Sequence, residues 1–252
     1  MKKLFLPLLI LLLTGCSEKK EDPMSAMDNV EKPTHQSLEE MVNHHIEAQL
    51  SIPSTEKYSM KIYKEHLDGD DKMDAIITVN RLNFAMAEAE KSGNSAKMAE
   101  IGFTGNYNYI FYYDGMSNSI TPPIVISSSP HAELKLKFEN VQSDAYKDIL
   151  VDYTIRNSQF RNFFTIMNHS PRLVFQWKIY DGLGTDQLEV NYLEFAPGTQ
   201  SAAKDILVYN GNLENAASVK DIYQFEPKIT KKGEVIHRFF YLDAQGKYFT
   251  QK

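Results

Sequence analysis

Cysteine is almost absent. Cys16 is the only one among 252 residues, so no intramolecular disulfide forms and the fold must rest on its core; a chain of this length is large enough to bury one. An excess of positive charge is absent too. With 27 basic and 33 acidic side chains the formal net charge is −6, which gives phosphate backbones no electrostatic hold and makes nucleic acid a poor partner. After the first fifteen or so residues, no stretch is apolar for long enough to span a bilayer. No Gly-x-Ser-x-Gly, His-Glu-x-x-His or Gly-x-x-x-x-Gly-Lys-Ser/Thr string occurs. Histidines 35, 44, 45, 66, 131, 169 and 237 form no metal-ligand spacing.

What is present begins with Lys2 and Lys3, an apolar run over residues 4–13, and Leu13-Thr14-Gly15-Cys16. A basic start, a short apolar core and small residues before a cut form a secretory signal, and the core is too brief for a stable spanning helix. This segment resembles the lipobox of bacterial lipoproteins. The resemblance implies a signal peptide over residues 1–15, acyl chains such as palmitate on Cys16, and a membrane-anchored location in the cell envelope. Ser17 stands where an aspartate is the inner-membrane retention signal of such lipoproteins, which favours the outer membrane. Acylation would also remove the one thiol as a nucleophile. Residues 16–34, rich in Glu, Lys, Asp and Ser with two prolines, read as a flexible tether. Residues 35–252 then form a single β-rich domain.

Ser37 with Glu40 is a capping-box pair, and Leu38, Met41, Val42, Ile46 and Leu50 follow at helical spacing up to Pro53. An amphipathic helix packed on the body is expected, with His44 and His45 on its surface. From residue 58 the pattern becomes short strands: 58–63, 74–79, 107–113, 124–127, 134–138, 149–155, 173–180, 188–195, 206–209 and 235–241. Residues 84–98, rich in Ala, Glu, Lys and Met, predict a helical insert.

A phrase recurs. Lys72-Met73-Asp74, Lys147-Asp148 and Lys204-Asp205 each lead into an apolar strand, and Asp114-Gly115, Asp181-Gly182 and Asp243 to Gly246 each follow an aromatic one. The stretch His66-Leu-Asp-Gly-Asp-Asp-Lys-Met-Asp74 resembles the FG-GAP/VCBS repeats of integrin-type propellers. In that family an acidic loop before a strand often holds calcium. The resemblance implies a calcium set at Asp68, Asp70 and Asp74, with His66 in the first position. A second loop offers Asn140, Gln142, Asp144 and Asp148, and a third only Pro197, Thr199, Ser201 and Asp205. Calcium takes six to eight oxygens, imidazole is a poor ligand for it, and Asp71 replaces a loop glycine, so weak or no calcium binding is expected. The repeated aspartate can instead accept backbone N–H bonds without any ion. The chain is short for a closed propeller. Blade-like antiparallel units, as a partial propeller or a twisted sheet, fit its length.

Aromatic side chains crowd two regions: Tyr107 to Tyr113, where alternation separates Tyr112 from Tyr109 and Phe111, and Phe160 to Phe164. Core packing takes one side; Tyr112, Arg161 and Trp177 are candidates for an exposed binding surface. The function expected is a lipid-anchored envelope binding or scaffold protein that recognises a protein or glycan partner. A hydrolase of envelope or extracellular polymers is the alternative, and its mark is a pocket with two close carboxylates or a histidine–carboxylate pair. A purely structural envelope lipoprotein is a third reading.

Overall fold

The computed structural model describes residues 37–94, 96 and 105–250. The signal segment, Cys16 and the tether lie outside the described residues, as does part of the helical expectation over 84–98. From Leu38 onward the chain is one compact unit. It is mainly β, with an N-terminal helix and a helical insert, as the pattern predicts.

Helix α1 (Leu38–Gln49) comes first, followed by β1 (Ser59–Glu65), β2 (Asp74–Asn80), α2 (Leu82–Lys91), β3 (Asn108–Asp114), β4 (Ser119–Ile120) and β5 (Ile124–Val125). These strands form one antiparallel sheet in the order β1-β2-β3, with β4 and β5 both on the outer edge of β3. Ile120 pairs with Tyr113 and Val125 with Tyr109, so β4 and β5 are two pieces of a single fourth strand. Pro122 and Pro123 separate them, because proline has no N–H to give to a ladder.

The rest of the chain is an antiparallel meander: β6 (Lys135–Glu139), β7 (Asp148–Ile155), β8 (Ser158–Ile166), β9 (Pro171–Asp181), β10 (Glu189–Ala196), β11 (Asp205–Leu213), β12 (Ile229–Leu242) and β13 (Lys247–Thr250). Only two residue pairs, Glu189 with Asp181 and Val190 with Tyr180, join β9 to β10. The meander therefore divides naturally into β6–β9 and β10–β13. With the first sheet this makes three four-stranded units, and the strand path stays open, ending at β6 and β13.

The units pack face against face. Ile76, Ile110 and Tyr112 of the first meet Ile149, Val151, Tyr153, Phe164 and Ile166 of the second. The other face of the second, with Leu150, Phe163 and Phe175, meets Ile206, Val208, Phe239 and Tyr248 of the third. On the far face of the first unit, Val42 and Ile46 of α1 cover Ala75, Ile77, Val79 and Phe111. Covering on both faces explains why β2, Asp-Ala-Ile-Ile-Thr-Val-Asn, is buried throughout and β7 nearly so.

Several expectations need correction. Strand β8 was not among the expected strands. The Asp181-Gly182 phrase follows the fourth strand of its unit, whereas Asp114 and Asp243 follow third strands. His45 is half-buried, its ring edge-on to Phe111 at 6.2 Å. Tyr112 is wholly buried between the first two units and belongs to no binding surface. Trp177 is half-buried, stacked on Phe175 at 5.9 Å and edge-on to Phe239 at 5.0 Å, so it too serves the core.

Candidate functional site

The repeated aspartates sit at equivalent places, the first residues of β2, β7 and β11. All three are buried. Asp74 accepts the N–H of Leu67 at 3.2 Å on one oxygen and that of Gly115 at 3.0 Å on the other. Asp148 accepts from Val141 at 3.1 Å and Gln142 at 2.6 Å. Asp205 accepts from Thr199, both N–H and hydroxyl, and from Arg238 Nε at 2.8 Å. Each carboxylate thus closes the loop before its own strand. Gly115 is required where it is: a Cβ there would lie 2.3 Å from the Met73 carbonyl oxygen. Main-chain bonds then tie loop to loop, Lys147 N–H to His66 O at 2.9 Å and Lys204 N–H to Val141 O at 2.8 Å.

At the positions of the calcium reading most carboxylate oxygens accept main-chain N–H bonds, while Asp70 Oδ2 is buried with no hydrogen-bond partner among the described residues. Asp68 Oδ1 accepts from Asp70 N–H, and Asp70 Oδ1 from Lys72 N–H at 2.7 Å. Asp74 has both oxygens engaged as above. Asn140 donates to the carbonyls of Ser143 and Tyr146, while Asp144 is exposed near Lys204 at 3.7 Å. Among the described residues no three His, Cys, Asp or Glu side chains form a group able to hold a metal ion. The loops are closed by N–H donors instead.

Burial pushes the Asp148 carboxyl above the ordinary aspartate range, against the pull of its two N–H bonds, Thr165 and Lys204. A carboxyl raised in this way contributes stability below its unfolded pKa and loses that contribution as pH rises through the folded value. Asp148→Asn keeps an acceptor for Val141 and Gln142 and removes the titration. Urea unfolding is therefore expected to show the variant gaining on wild type between pH 4 and pH 7. A stability difference, variant minus wild type, that stays constant or falls as pH rises would refute this account.

Two open chambers lie along β6. The larger, about 780 Å³, lies between the edge of β1 and the start of β6, with Tyr58, Tyr63, Asn80, Asn83, His131 and Tyr223 in its lining. The rings of His131 and Tyr223 lie 5.2 Å apart, tilted by 33°. The smaller, about 390 Å³, lies between the second and third units, with Lys137, Asp152, Gln159, Arg161, Asn191 and Tyr192 in its lining. Lys135 and Glu226, an ion pair at 3.2 Å, line both chambers and stand where they meet. Of the three binding candidates read from sequence, only Arg161 reaches this cleft. The other lining residues come from strands, loops and α2 far apart in sequence, and no local motif marks them.

Every carboxylate in the cleft is paired. Glu133 is bonded by Lys61, which, with help from Ser59, holds its carboxyl below the usual glutamate range. Asp152 is held bidentately by Arg161. The partners of these carboxylates are lysine, arginine and the Ser59 hydroxyl, not a histidine. One histidine–carboxylate pair does occur elsewhere, His169 Nδ1 with Asp114 Oδ2 at 2.8 Å. It joins the β8–β9 turn to the end of β3; His169 is 65% exposed and lines neither chamber. That turn holds Asn168 and His169 at φ of 50° and 58°, the two-residue form whose twist matches a hairpin.

No protein-family model matches this chain, and comparison with characterised proteins and with solved structures finds no match.

Proposed function

We propose that this chain is a lipid-tethered binding protein of the bacterial cell envelope, held by acyl chains on Cys16, outer membrane rather than inner. It recognises a protein or glycan partner in the cleft along β6. The observation that carries the reading is the cleft itself. Rings, amides and cations from all three units converge in an open trough whose carboxylates are neutralised by neighbours. Such a lining suits recognition of polar groups, and a rigid sheet scaffold holds it in place.

Two measurements test the reading together. Metabolic labelling with a fatty acid is expected to mark wild type and leave Cys16→Ser unmarked. Retention of the purified full-length chain on immobilised envelope material is expected to fall about tenfold, roughly the loss of 1.4 kcal/mol, when Tyr63 and Tyr223 are both changed to Ala. Unlabelled wild type would remove the tether. Undiminished retention by the double variant, or cleavage of a defined polymer, would remove the binding role.

A further inference from the structure

The smaller chamber holds a guanidinium with one edge fixed and the other unspent. Register places Lys135, Asp152 and Arg161 side by side across β6, β7 and β8. Asp152, buried, takes Arg161 Nε at 2.5 Å and Nη2 at 2.7 Å. The third nitrogen, Nη1, has no hydrogen-bond partner among the described residues, and the side chain is 15% exposed where it lines the chamber. A planar guanidinium clamped on one side by a carboxylate is preorganised to receive a second planar anion on the other. Lys137 lines the same chamber, is exposed, and has no carboxylate partner among the described residues. Lys135 reaches Glu226, whose side chain is 82% exposed, and donates a long bond to the Phe225 carbonyl at 3.4 Å. So exposed a pair contributes little and yields readily to a competing anion.

Gln159, Asn191 and Tyr192 complete the lining, with Asn191 Nδ2 donating to the Lys178 carbonyl at 3.0 Å. Amides bond sugar hydroxyls, and a tyrosine ring covers the C–H face of a sugar. The charge count favours a singly charged ligand: Lys135, Lys137 and Arg161 face Asp152 and Glu226, one positive charge in excess. That excess stands out in a chain of net charge −6.

We propose that this chamber binds the carboxylate of an acidic sugar, a uronate residue within a polysaccharide that lies along the cleft. The assignment rests on the binding reading above and names its ligand class. The Arg161 fork receives the carboxylate, Lys137 and Lys135 supply the field, and the amides and Tyr192 hold the sugar ring. No covalent step is involved.

Calorimetric titration of the full-length chain with tetragalacturonate, its methyl ester, tetraglutamate and inorganic phosphate tests the proposal. Binding of the uronate is expected, weakening as salt rises, with the ester at least tenfold weaker. Lys137→Ala alters an exposed side chain and leaves the core intact; it is expected to weaken uronate binding about fivefold. Arg161→Lys keeps the charge and loses the fork, and is expected to weaken it further. Equal binding of ester and acid would overturn the anion assignment while leaving a glycan-binding cleft. Tetraglutamate or phosphate bound as tightly as the uronate would overturn the sugar assignment. If no saccharide binds but retention on envelope material still depends on Tyr63 and Tyr223, this proposal falls and the binding reading stands. If that dependence is lost as well, both fall.

Discussion

Glu56→Ala is expected to destabilise the domain by about 3–5 kcal/mol, the usual loss when one partner of a buried ion pair is removed. Arg81 and Glu56 are 8% and 7% exposed at their side chains. Glu56 takes Nε and Nη2 at 2.7 Å each, the Leu50 carbonyl takes Nη1 at 3.3 Å, and the Phe84 ring lies 4.2 Å below the guanidinium. The pair joins the segment after α1 to the start of α2. Without Glu56 the guanidinium stays buried beside an aromatic ring with a single carbonyl to satisfy it. The loss is the cost of the stranded charge, not the net worth of the pair. Changing both, Glu56→Ala with Arg81→Met, is therefore expected to recover a large part of it. Urea denaturation of the two variants decides the matter. A single-variant loss under about 1 kcal/mol would place the pair with exposed bridges of little worth.

Phe175→Ala is expected to cost about as much, roughly 3–5 kcal/mol, and to lower the melting temperature by about 10 °C in a domain of this size. Phe175 is the ring on which the second and third units meet. Its centroid lies 4.8 Å from Phe239, 5.3 Å from Phe163, 5.7 Å from Tyr248 and 5.9 Å from Trp177. Its removal leaves a cavity walled by sheets that cannot close on it, because each is fixed by its own ladder. Phe175→Leu refills much of that space and is expected to recover more than half of the loss. A leucine variant as unstable as the alanine one would show that ring geometry, not volume, holds the interface.

The strands were legible wherever burial is simple. Strands β2 and β7 read as continuous apolar runs because both of their faces are covered, and the leading aspartate marked where each begins. Helix α1 was legible from Val42 and Ile46 at helical spacing. Strand β8 escaped because Gln159, Arg161 and Asn162 interrupt its apolar pattern. Two of these three line the smaller chamber, so the residues that obscured the strand are the ones that furnish the candidate site. Alternation correctly set Tyr112 opposite Phe111 but gave no sign that the next unit covers that side. Lys137, Gln159 and Asn191 carry no mutual spacing, since only register across β6, β8 and β10 brings them together. Calcium was suggested by the resemblance of the acidic loop at residues 66–74, with weak or no binding expected; whether a carboxylate faces a cation or its own backbone is decided by loop conformation.

The bonds from Lys147 N–H to His66 O and from Lys204 N–H to Val141 O join atoms that every non-proline residue possesses. A joint made this way places almost no demand on side-chain identity. What each loop does need is one acceptor where the main chain has none to spare, and a short carboxylate supplies it. A chain assembled so can drift at nearly every other loop position without changing its architecture. The three loops accordingly share a hydrogen-bonding scheme around their aspartates while sharing few letters.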